Sequence, residues 1–565
     1  MRWFNKTDYR SFYLLNATQF LGALNDNIFK LLVIYLLINA QGPASANTIL
    51  SLAGGIFVVP FLLFSSGAGI LADRWSKRTI IVYTKVMEVS IMTFGLGAVL
   101  LESEIGAFTA LFLMATQSAL FGPSKYGIIP ELVENKMVSK ANGSMTSFTY
   151  LAIILGTFLA SFIADITDKN FAIEAVFCIV VAIVGLITSL GISRTAPQNS
   201  TKKINPFFLY EIYQTLKASW KVPHLLPAMS GSSFFLFIGA FSQLNIIPFA
   251  MQSLGLSEVG GGYLFLAIAV GIAIGAVLAG QLSKDKVEPG LSCITGFFIS
   301  IFFLSLYLFA SSLIATIINL MLLGIMGGAY LIPFDSFIQV NSPDEKRGQI
   351  IATANFFSFV GVLAASFFLY FISEELGLSA ETGFLAMSVI TFFFNLVITG
   401  RFSSLLFPFF IKKILKRFRK LIIVAPVPTN RSVVILRSNS WLDAILLFSC
   451  FDKLNILIPT PFLKAFPWIN GWFDAIQIVP PELASQSDLE SVLYSIAQLH
   501  EQGRTACLFI KPQENSDRIA FNYKKILTEH QLDVVFAHGT KERILKNAIF
   551  FRWYQKKITL NFAKD

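Results

Sequence analysis

The stretch Gly69-Ile-Leu-Ala-Asp-Arg-Trp-Ser-Lys-Arg78 closes one long apolar segment and opens the next. Four charged residues, Asp73, Arg74, Lys77 and Arg78, fall within six positions between two runs of membrane-spanning length. A turn this short and this charged is typical of a loop at a membrane surface, where basic residues stay on the cytoplasmic side. Gly69 permits two helices to approach closely. We expect Asp73 to pair with Arg74 or Arg78 and so to latch neighbouring helix ends.

The composition of the chain is that of a membrane protein. Its 565 residues are 55% hydrophobic and only 14% charged, with a mean hydropathy of +0.66, whereas about 25% of residues in soluble domains are charged. The net charge of +10 is concentrated in short loops, which indicates membrane topology and contact with anionic lipid rather than nucleic-acid binding. Four scattered cysteines without Cys-x-x-Cys or Cys/His spacing predict neither a metal site nor a disulfide framework, and we expect no cofactor.

Apolar runs long enough to cross a bilayer recur along most of the chain. A spanning helix needs about 20 mostly apolar residues. Runs of that length lie near 11–39, 47–72, 78–101, 105–125, 142–164, 171–193, 225–252, 260–283, 290–312, 313–340, 348–373 and 380–403. They predict an all-α polytopic membrane protein with about twelve transmembrane helices. The least marked boundary lies within 290–340, where Ser311 and Ser312 are the main turn signal.

Basic residues are concentrated in one set of loops. The loops at 40–46 and 374–379 carry no Lys or Arg, whereas basic residues cluster at 74–78, 125–140 and 194–221. By the positive-inside rule, both termini then face the cytoplasm. The polar start of the chain leads into a run too long for a signal sequence, so we expect a retained first helix.

The predicted spans divide into two halves. Residues 1–193 hold six spans and residues 223–403 hold six more, joined by a polar central loop at 194–222. Apolar residues at helical spacing in that loop predict an amphipathic helix on the membrane surface; they are Leu209, Ile212, Tyr213, Leu216 and Trp220. Six plus six spans around a cytoplasmic loop is the plan of major facilitator transporters.

After Ser403 the sequence changes character. Residues 404–420 interleave basic and apolar side chains, which predicts a basic amphipathic linker on the inner leaflet or simply the basic end of the last span. From 421 to 565, β-rich runs at 432–436, 506–510 and 533–537 alternate with helical patterns such as 488–499. This alternation predicts a small cytoplasmic α/β domain.

Charged residues also occur inside the first and third predicted spans. Asp26 and Lys30 are one helical turn apart, and so are Lys85 and Glu88. A charge at mid-helix costs about 2.5–3.5 kcal/mol on insertion scales, so such residues have a partner or a function. One interpretation is two self-neutralising structural pairs. The other is a bipolar cavity with an anion site and a cation site, which suits a zwitterionic lipid head group.

Several motifs resemble those of known transporters. The stretch from Gly69 to Arg78 resembles the signature loop of the major facilitator superfamily. Three further stretches resemble the bacterial lysophospholipid transporter family; they are Gln19-Phe-Leu-Gly-Ala-Leu-Asn-Asp-Asn27, Gly122-Pro-Ser-Lys-Tyr-Gly-Ile-Ile-Pro-Glu-Leu132 with Lys140-Ala-Asn-Gly143, and Gly324-Ile-Met-Gly-Gly-Ala-Tyr-Leu-Ile-Pro333. The resemblance implies a transporter that flips lysophospholipids, chiefly lysophosphatidylethanolamine, to the cytoplasmic leaflet of the bacterial inner membrane by alternating access.

The resemblance, together with the bipolar-cavity interpretation that includes Lys85 and Glu88, suggests which residues bind the substrate. Those expected to bind it are Asp26, Asn27, Lys85, Glu88, Lys125 and Gln243. Lys125 would meet the phosphate late in transit or lock the inward gate. Gln243 stands where an arginine is expected in better-known relatives. The loop residues expected to control rocking between inward and outward states are Gly69, Asp73, Arg74 and Arg78.

The tail resembles glycerolipid acyltransferases, whose Asn-His-x-Ser-x-x-Asp motif uses the His as a base and the Asp to orient it. The corresponding stretch runs from Arg437 to Asp443, with Ser438 at the His position. Serine is not basic near pH 7, so we expect the fold without acyl-transfer activity, and a transporter rather than an enzyme. Re-acylation would then need a separate acyltransferase or acyl-ACP synthetase as a partner.

Two other functions fit the same sequence. A different major facilitator transporter, for a drug or an organic anion, would share the fold and the Gly69 loop. A bifunctional transporter and lysophospholipid acyltransferase would require the tail to work without a histidine base. Efflux of other substrates without lysophospholipid uptake would favour the first alternative. Acyl transfer that is lost in Asp443→Asn would support the second.

Overall fold

The computed structural model describes residues 9–42, 45–198, 200, 202, 207–256, 258–283 and 287–402, together with the backbone of seven strands between 421 and 563. The chain divides into two compact units, Met1–Ile398 and Thr399–Asp565. The predicted linker at 404–420 lies outside the described residues, as do Ser438, Asp443 and the helical pattern at 488–499.

The described part of the chain contains fourteen α-helices. They are α1 (Tyr9–Gln41), α2 (Ala46–Arg74), α3 (Lys77–Leu100), α4 (Glu104–Gly127), α5 (Ile129–Leu132), α6 (Val138–Ile166), α7 (Phe171–Leu190), α8 (Phe208–Ser219), α9 (Leu225–Leu254), α10 (Glu258–Leu282), α11 (Pro289–Leu308), α12 (Leu313–Asn341), α13 (Arg347–Tyr370) and α14 (Ala380–Arg401). All except α5 and α8 are long and apolar enough to cross a membrane. The prediction of twelve spans is therefore confirmed.

The boundary that the sequence marked least clearly falls between α11 and α12. The first of these helices ends at Leu308 and the second begins at Leu313. Ser312 caps the second helix, because its hydroxyl oxygen accepts a hydrogen bond from the Ala315 amide at 3.4 Å. The serine pair thus separates the two spans, as predicted.

Within the second half, α10 and α12 pack almost backbone to backbone. A Cβ atom on Gly275 would lie 2.8 Å from the Ile325 Cα, and one on Gly271 would lie 3.0 Å from the Gly324 Cα. Lipid tails are as apolar as helix surfaces, so membrane helices associate through close van der Waals packing of small residues. These glycines therefore determine how closely α10 and α12 approach.

Two seams join the half that contains α1–α7 to the half that contains α9–α14. One seam packs α2 against α13, and the other packs α6 against α10. In the first, Gly69 lies against Gly348; in the second, Gly143 lies against Gly280. The space between the two seams is the cavity described below.

Helix α8 lies in the central loop and confirms the predicted amphipathic helix. The side chains of Leu209 and Tyr213, and that of Trp220 directly after the helix, are exposed, whereas Glu211 is buried and forms an ion pair with Lys202. Apolar side chains that point away from the protein are expected for a helix lying in a membrane interface.

The second unit contains a seven-stranded sheet of order β1-β7-β6-β2-β5-β3-β4. Its strands are β1 (Leu421–Ile423), β2 (Ser432–Arg437), β3 (Leu454–Pro459), β4 (Ile476–Ile478), β5 (Thr505–Ile510), β6 (Asp533–Ile544) and β7 (Gln555–Ala563). All neighbouring pairs are parallel except β6 and β7. Strands β2, β5 and β6 fall on the three β-rich runs that were predicted.

Replacing Gly275 by valine should weaken the contact between α10 and α12, because a side chain there has no space. Overpacking costs about 1–3 kcal/mol, so the purified Gly275→Val variant should unfold at a lower temperature than wild type. Gly97→Val is the matched control, since a Cβ atom on Gly97 would meet nothing within 4 Å. Equal melting temperatures for the two variants would contradict the packing.

Candidate substrate cavity

A cavity of about 390 Å³ lies between the two halves of the helical unit. Its walls come from α1–α4 and α6 on one side and from α9, α12 and α13 on the other. Five predicted substrate residues line it; they are Asp26, Asn27, Lys85, Glu88 and Lys125. The fold thus gathers side chains from three separate helices, α1, α3 and α4, around one space.

Aromatic rings form another part of the cavity wall. Phe57 and Phe61 of α2, Phe235 of α9 and Phe359 of α13 all line it. The rings of Phe61 and Phe359 stack across the α2–α13 seam, with centroids 4.0 Å apart and planes at 20°. The cavity therefore has both a charged wall and an aromatic wall.

Glu88 is the centre of a buried polar network. Its Oε2 lies 2.6 Å from Lys85 Nζ, and both side chains are 1% exposed. The amide of Asn25 donates to Oε1 at 3.0 Å, and that of Gln117 donates to Oε2 at 3.4 Å. For these two charges, the predicted structural pair is confirmed. The pair neutralises itself while remaining at the cavity wall.

The second predicted pair, between Asp26 and Lys30, is wrong. Asp26 Oδ2 instead accepts a hydrogen bond from the Ser118 hydroxyl of α4 at 2.7 Å, and its Oδ1 has no hydrogen-bond partner among the described residues. Lys30 Nζ lies 5.2 Å from the ring centroid of Phe57. The pair fails because each side chain reaches a neighbouring helix instead of its partner on α1. Asp26 therefore lines the cavity with one carboxylate oxygen that has no hydrogen-bond partner among the described residues.

Lys125 lies in the last turn of α4 and also faces the cavity. Its ammonium group is 5.0 Å from the ring centroid of Tyr126 and 5.5 Å from that of Phe121. Aromatic faces attract a cation without neutralising its charge. Among the described residues, no carboxylate forms an ion pair with Lys125, so it can bind an anionic group.

Asp335 on α12 is a cavity residue that the sequence reasoning missed. It lines the cavity opposite the α1–α7 half, and its Oδ1 accepts a hydrogen bond from the Ser232 hydroxyl at 2.6 Å. The signal was present, because a charge within a predicted span indicates a functional site. With Asp335 included, the charged groups that line the cavity are three carboxylates and two ammonium groups.

The structure places Gln243 outside the cavity. Gln243 is exposed on α9, seven residues beyond Leu236, which does line the cavity. Seven residues are about two turns, so the two side chains share a helix face but lie about 10 Å apart along the axis. Gln243 is therefore the one predicted substrate residue that the structure does not bring into this cavity.

Asp73 contacts the opposite half of the protein rather than its own loop. Its carboxylate is fully buried and accepts hydrogen bonds from the Gly348 amide at 2.6 Å, the Gln349 amide at 2.9 Å and the Gln349 side chain at 3.0 Å. Those amides belong to the first turn of α13, whose N–H groups lack partners within the helix and carry its positive dipole end. The predicted pairing of Asp73 with an arginine is therefore wrong, because the helix terminus supplies better donors.

Within the described residues, the basic residues of the same loop do not contact α13 as Asp73 does. Arg78 donates to the backbone carbonyls of Leu190 at 2.9 Å and Ile192 at 3.3 Å, at the end of α7. Arg74 is exposed. Lys77 is buried and pairs with Glu131 of α5 at 2.5 Å. The loop thus fixes α7 and α5 through its basic side chains and α13 through Asp73.

The halves also meet at this end through small and amide side chains. A Cβ atom on Gly69 would lie 2.7 Å from the Ala352 Cβ, so the close approach expected at Gly69 is confirmed. Across the α6–α12 contact, Asn142 donates to Ser336 and Gln339, and Gln339 donates back to Asn142, each at 3.0 Å. The cavity is therefore closed at the end of the molecule that carries Asp73.

Within the described ranges, no group of three or more His, Cys, Asp or Glu side chains could hold a metal ion. The cavity instead combines carboxylate acceptors with the ammonium groups of Lys85 and Lys125. Such an arrangement can bind a ligand that carries both signs of charge.

Removing only the Lys85 charge from the buried Lys85–Glu88 pair should lower the stability of the protein more than removing both charges. Loss of one partner leaves an uncompensated buried charge and costs about 3–5 kcal/mol. Thermal unfolding in detergent should therefore show a large drop in melting temperature for Lys85→Met and partial recovery in Lys85→Met/Glu88→Gln. A double variant as unstable as the single one would refute this account of the network.

Removing the Asp73 carboxylate should open the end of the molecule that it closes. Spin labels at exposed Trp75→Cys and Glu345→Cys, in a background without native cysteines, would report the α2–α13 separation. Asp73→Ala should shift the measured distances to longer values. Glu134→Ala is the control, because this exposed carboxylate pairs with Lys136 at the same end and does not join the halves. Identical distance distributions would show that Asp73 is not a latch.

Comparison with known proteins agrees with this geometry. Residues 15–366 match the Major Facilitator Superfamily. The lysophospholipid transporter LplT of Klebsiella pneumoniae is 25% identical over 344 residues, which cover 60% of this chain and 83% of that protein. The LplT of Yersinia pestis is 23% identical over 352 residues, covering 61% and 82% respectively.

Solved structures share the fold at low sequence identity. The Escherichia coli fucose:proton symporter superimposes with a TM-score of 0.58 at 15% identity, covering 69% of this chain and 98% of that chain. The human organic anion transporter TETRAN gives 0.57 at 13% identity, covering 68% and 99%. The described part of the helical unit has twelve membrane-length helices in two halves around a central cavity. The family match covers most of this unit. The chain belongs to the Major Facilitator Superfamily.

Proposed function

We propose that this protein transports lysophospholipids across the bacterial inner membrane, toward the cytoplasmic leaflet, by alternating access. The observation that carries the proposal is a cavity that offers an unpaired ammonium group, unpaired carboxylate oxygen and an aromatic wall together. The relatives described above, at 23–25% identity, are named lysophospholipid transporters. Their name supports the same substrate class for this chain.

The charged wall fits a zwitterionic head group. Lys125 can bind the phosphate as a compact cation, and the two cavity carboxylates that form no ion pair among the described residues, Asp26 and Asp335, can accept hydrogen bonds from an ammonium group. The Lys85–Glu88 pair is internally neutralised, so we assign it to shaping the wall. Lysophosphatidylethanolamine carries the two charges that this division of roles requires.

The aromatic wall suits the single acyl chain. Phe57, Phe61 and Phe359 stand beside the charged groups, at the seam between α2 and α13. Apolar chain buried against such rings is stabilised by about 25 cal/mol per Å². A ligand with one apolar chain and one charged head would contact both walls at once, whereas a small hydrophilic solute would leave the aromatic wall unused.

The basic loops support the proposed direction of transport. Lys and Arg cluster at the end of the molecule that Asp73 closes, and the positive-inside rule assigns that end to the cytoplasm. In this orientation the cavity is sealed toward the cytoplasm, both termini are cytoplasmic, and substrate enters from the outer leaflet. Release would require Asp73 to leave the α13 terminus, which makes Gly69, Asp73 and their partners the switch.

The tail would serve the same pathway without catalysing it. Its seven-stranded, mostly parallel sheet agrees with an acyltransferase-like α/β domain, and Ser438 replaces the histidine base. We therefore propose a non-catalytic domain, with re-acylation by a separate enzyme. Acyl transfer by the purified full-length protein, abolished in Asp443→Asn, would overturn this assignment.

Uptake of labelled lysophosphatidylethanolamine by proteoliposomes or spheroplasts tests the proposal directly. Asp26→Ala and Lys125→Ala should each lower uptake about tenfold or more, since a lost charge-assisted hydrogen bond is worth about 1.5–3 kcal/mol. Gln243→Ala is the matched control and should retain wild-type uptake. Wild-type uptake equal to that of empty vesicles would reject lysophospholipid transport, and efflux of amphiphilic cations or organic anions in its place would favour another major facilitator function.

A further inference from the structure

Asp335 is the charged residue that the α9–α14 half contributes to the cavity, within the described residues. Its Oδ1 accepts from the Ser232 hydroxyl at 2.6 Å. Among the described residues it forms no ion pair with Lys, Arg or His. A single hydroxyl donor compensates a carboxylate within a membrane only in part. The geometry therefore leaves room for a cation that the protein does not supply.

The position of Asp335 along α12 places it near the closed end of the cavity. Gln339, one helical turn further along the same helix, bonds Asn142 across the two halves. One turn is about 5.4 Å. Asp335 thus lies one turn above the amide contact that closes the cavity floor.

Lys125 reaches the same part of the cavity from the other half. Its neighbour Tyr126 interacts electrostatically with Asp335, and the Lys125 ammonium lies 5.0 Å from the Tyr126 ring centroid. The donor of Asp26, Ser118, precedes Lys125 by seven residues, or about 10 Å along α4, and the Asp26 carboxylate interacts electrostatically with the Lys125 ammonium from above. The lower cavity therefore has a cation on one half and a carboxylate on the other.

We propose that Asp335, oriented by Ser232, is an ammonium subsite for a lysophospholipid head group whose phosphate binds Lys125. The inference rests on the proposed function and extends it to head-group selection. A primary ammonium has three N–H donors and can hydrogen-bond the carboxylate directly. A glycerol head group has no cation, and a trimethylammonium group has no donor. Asp335 should therefore favour lysophosphatidylethanolamine over lysophosphatidylglycerol and lysophosphatidylcholine.

Such a head group would also connect the two halves of the transporter. Its phosphate would contact α4, and its ammonium would contact α12 one turn from the Asn142–Gln339 contact. A head group bound at the cavity floor would therefore link α4 to α12 through the substrate, beside the direct Asn142–Gln339 contact between the halves. A lipid without the cation would form only the Lys125 side of this bridge.

Uptake of the three lysolipids by full-length protein in proteoliposomes tests the subsite. Asp335→Asn should reduce lysophosphatidylethanolamine uptake at subsaturating concentration about tenfold or more. Lysophosphatidylglycerol uptake should be unchanged or raised, because a negative charge near its phosphate is removed. Asp335→Glu should retain the preference for ethanolamine, and Asp165→Asn, an exposed carboxylate outside the cavity, should behave as wild type.

The outcomes separate this inference from the proposed function. Wild-type transport of lysophosphatidylethanolamine with no change in Asp335→Asn would overturn the subsite and leave the transporter proposal standing. An equal loss for all three lipids would also overturn it, since it would indicate a general role in folding or coupling. A wild-type protein that takes up none of them would reject the proposed function and the subsite together.

Discussion

The capping of α13 by Asp73 is the interaction on which the arrangement of the halves depends. A carboxylate at the end of α2 accepts three hydrogen bonds from the first turn of a helix in the other half. The contact combines a full negative charge with the positive end of a helix dipole in a site without water exposure. It needs Gly69 one turn earlier, because any side chain there would hold α13 away. The closed floor of the cavity follows from this pair of residues.

Electrostatics then decide which cavity residues are structural and which are available to a ligand. Glu88 has Lys85, Asn25 and Gln117 as partners, and this satisfied network shapes the wall. Asp26, Lys125 and Asp335 form no direct ion pair among the described residues, and their near contacts are hydroxyl groups or aromatic rings. Burial makes an incompletely compensated charge costly. Such groups are the ones expected to gain from a zwitterionic substrate.

The helical unit could be predicted from sequence because membrane spans are local. Each needs about 20 apolar residues and satisfies its own backbone hydrogen bonds, so length and hydropathy are enough to find it. Even the division at Ser312 was correct. The β-rich runs of the tail were found for a similar reason, since β2, β5 and β6 have their own local pattern. Asp26, Lys85 and Glu88 were identified because charges within apolar runs are conspicuous, and Lys125 was identified through the motif that contains it.

What remained undetermined were the partners of those residues, because partners come from other helices. The i, i+4 spacing permitted Asp26–Lys30 and the loop spacing permitted Asp73–Arg78, yet Ser118 and the α13 terminus took both carboxylates. Gln243 shares a helix face with Leu236 but lies too far along the axis to line the cavity. The sequence by itself determined the superfamily, the twelve spans and most of the charged cavity residues. Only the tertiary structure decided which charges are neutralised, which half supplies Asp335 and which end is closed, because those properties depend on distances between helices that no local pattern encodes.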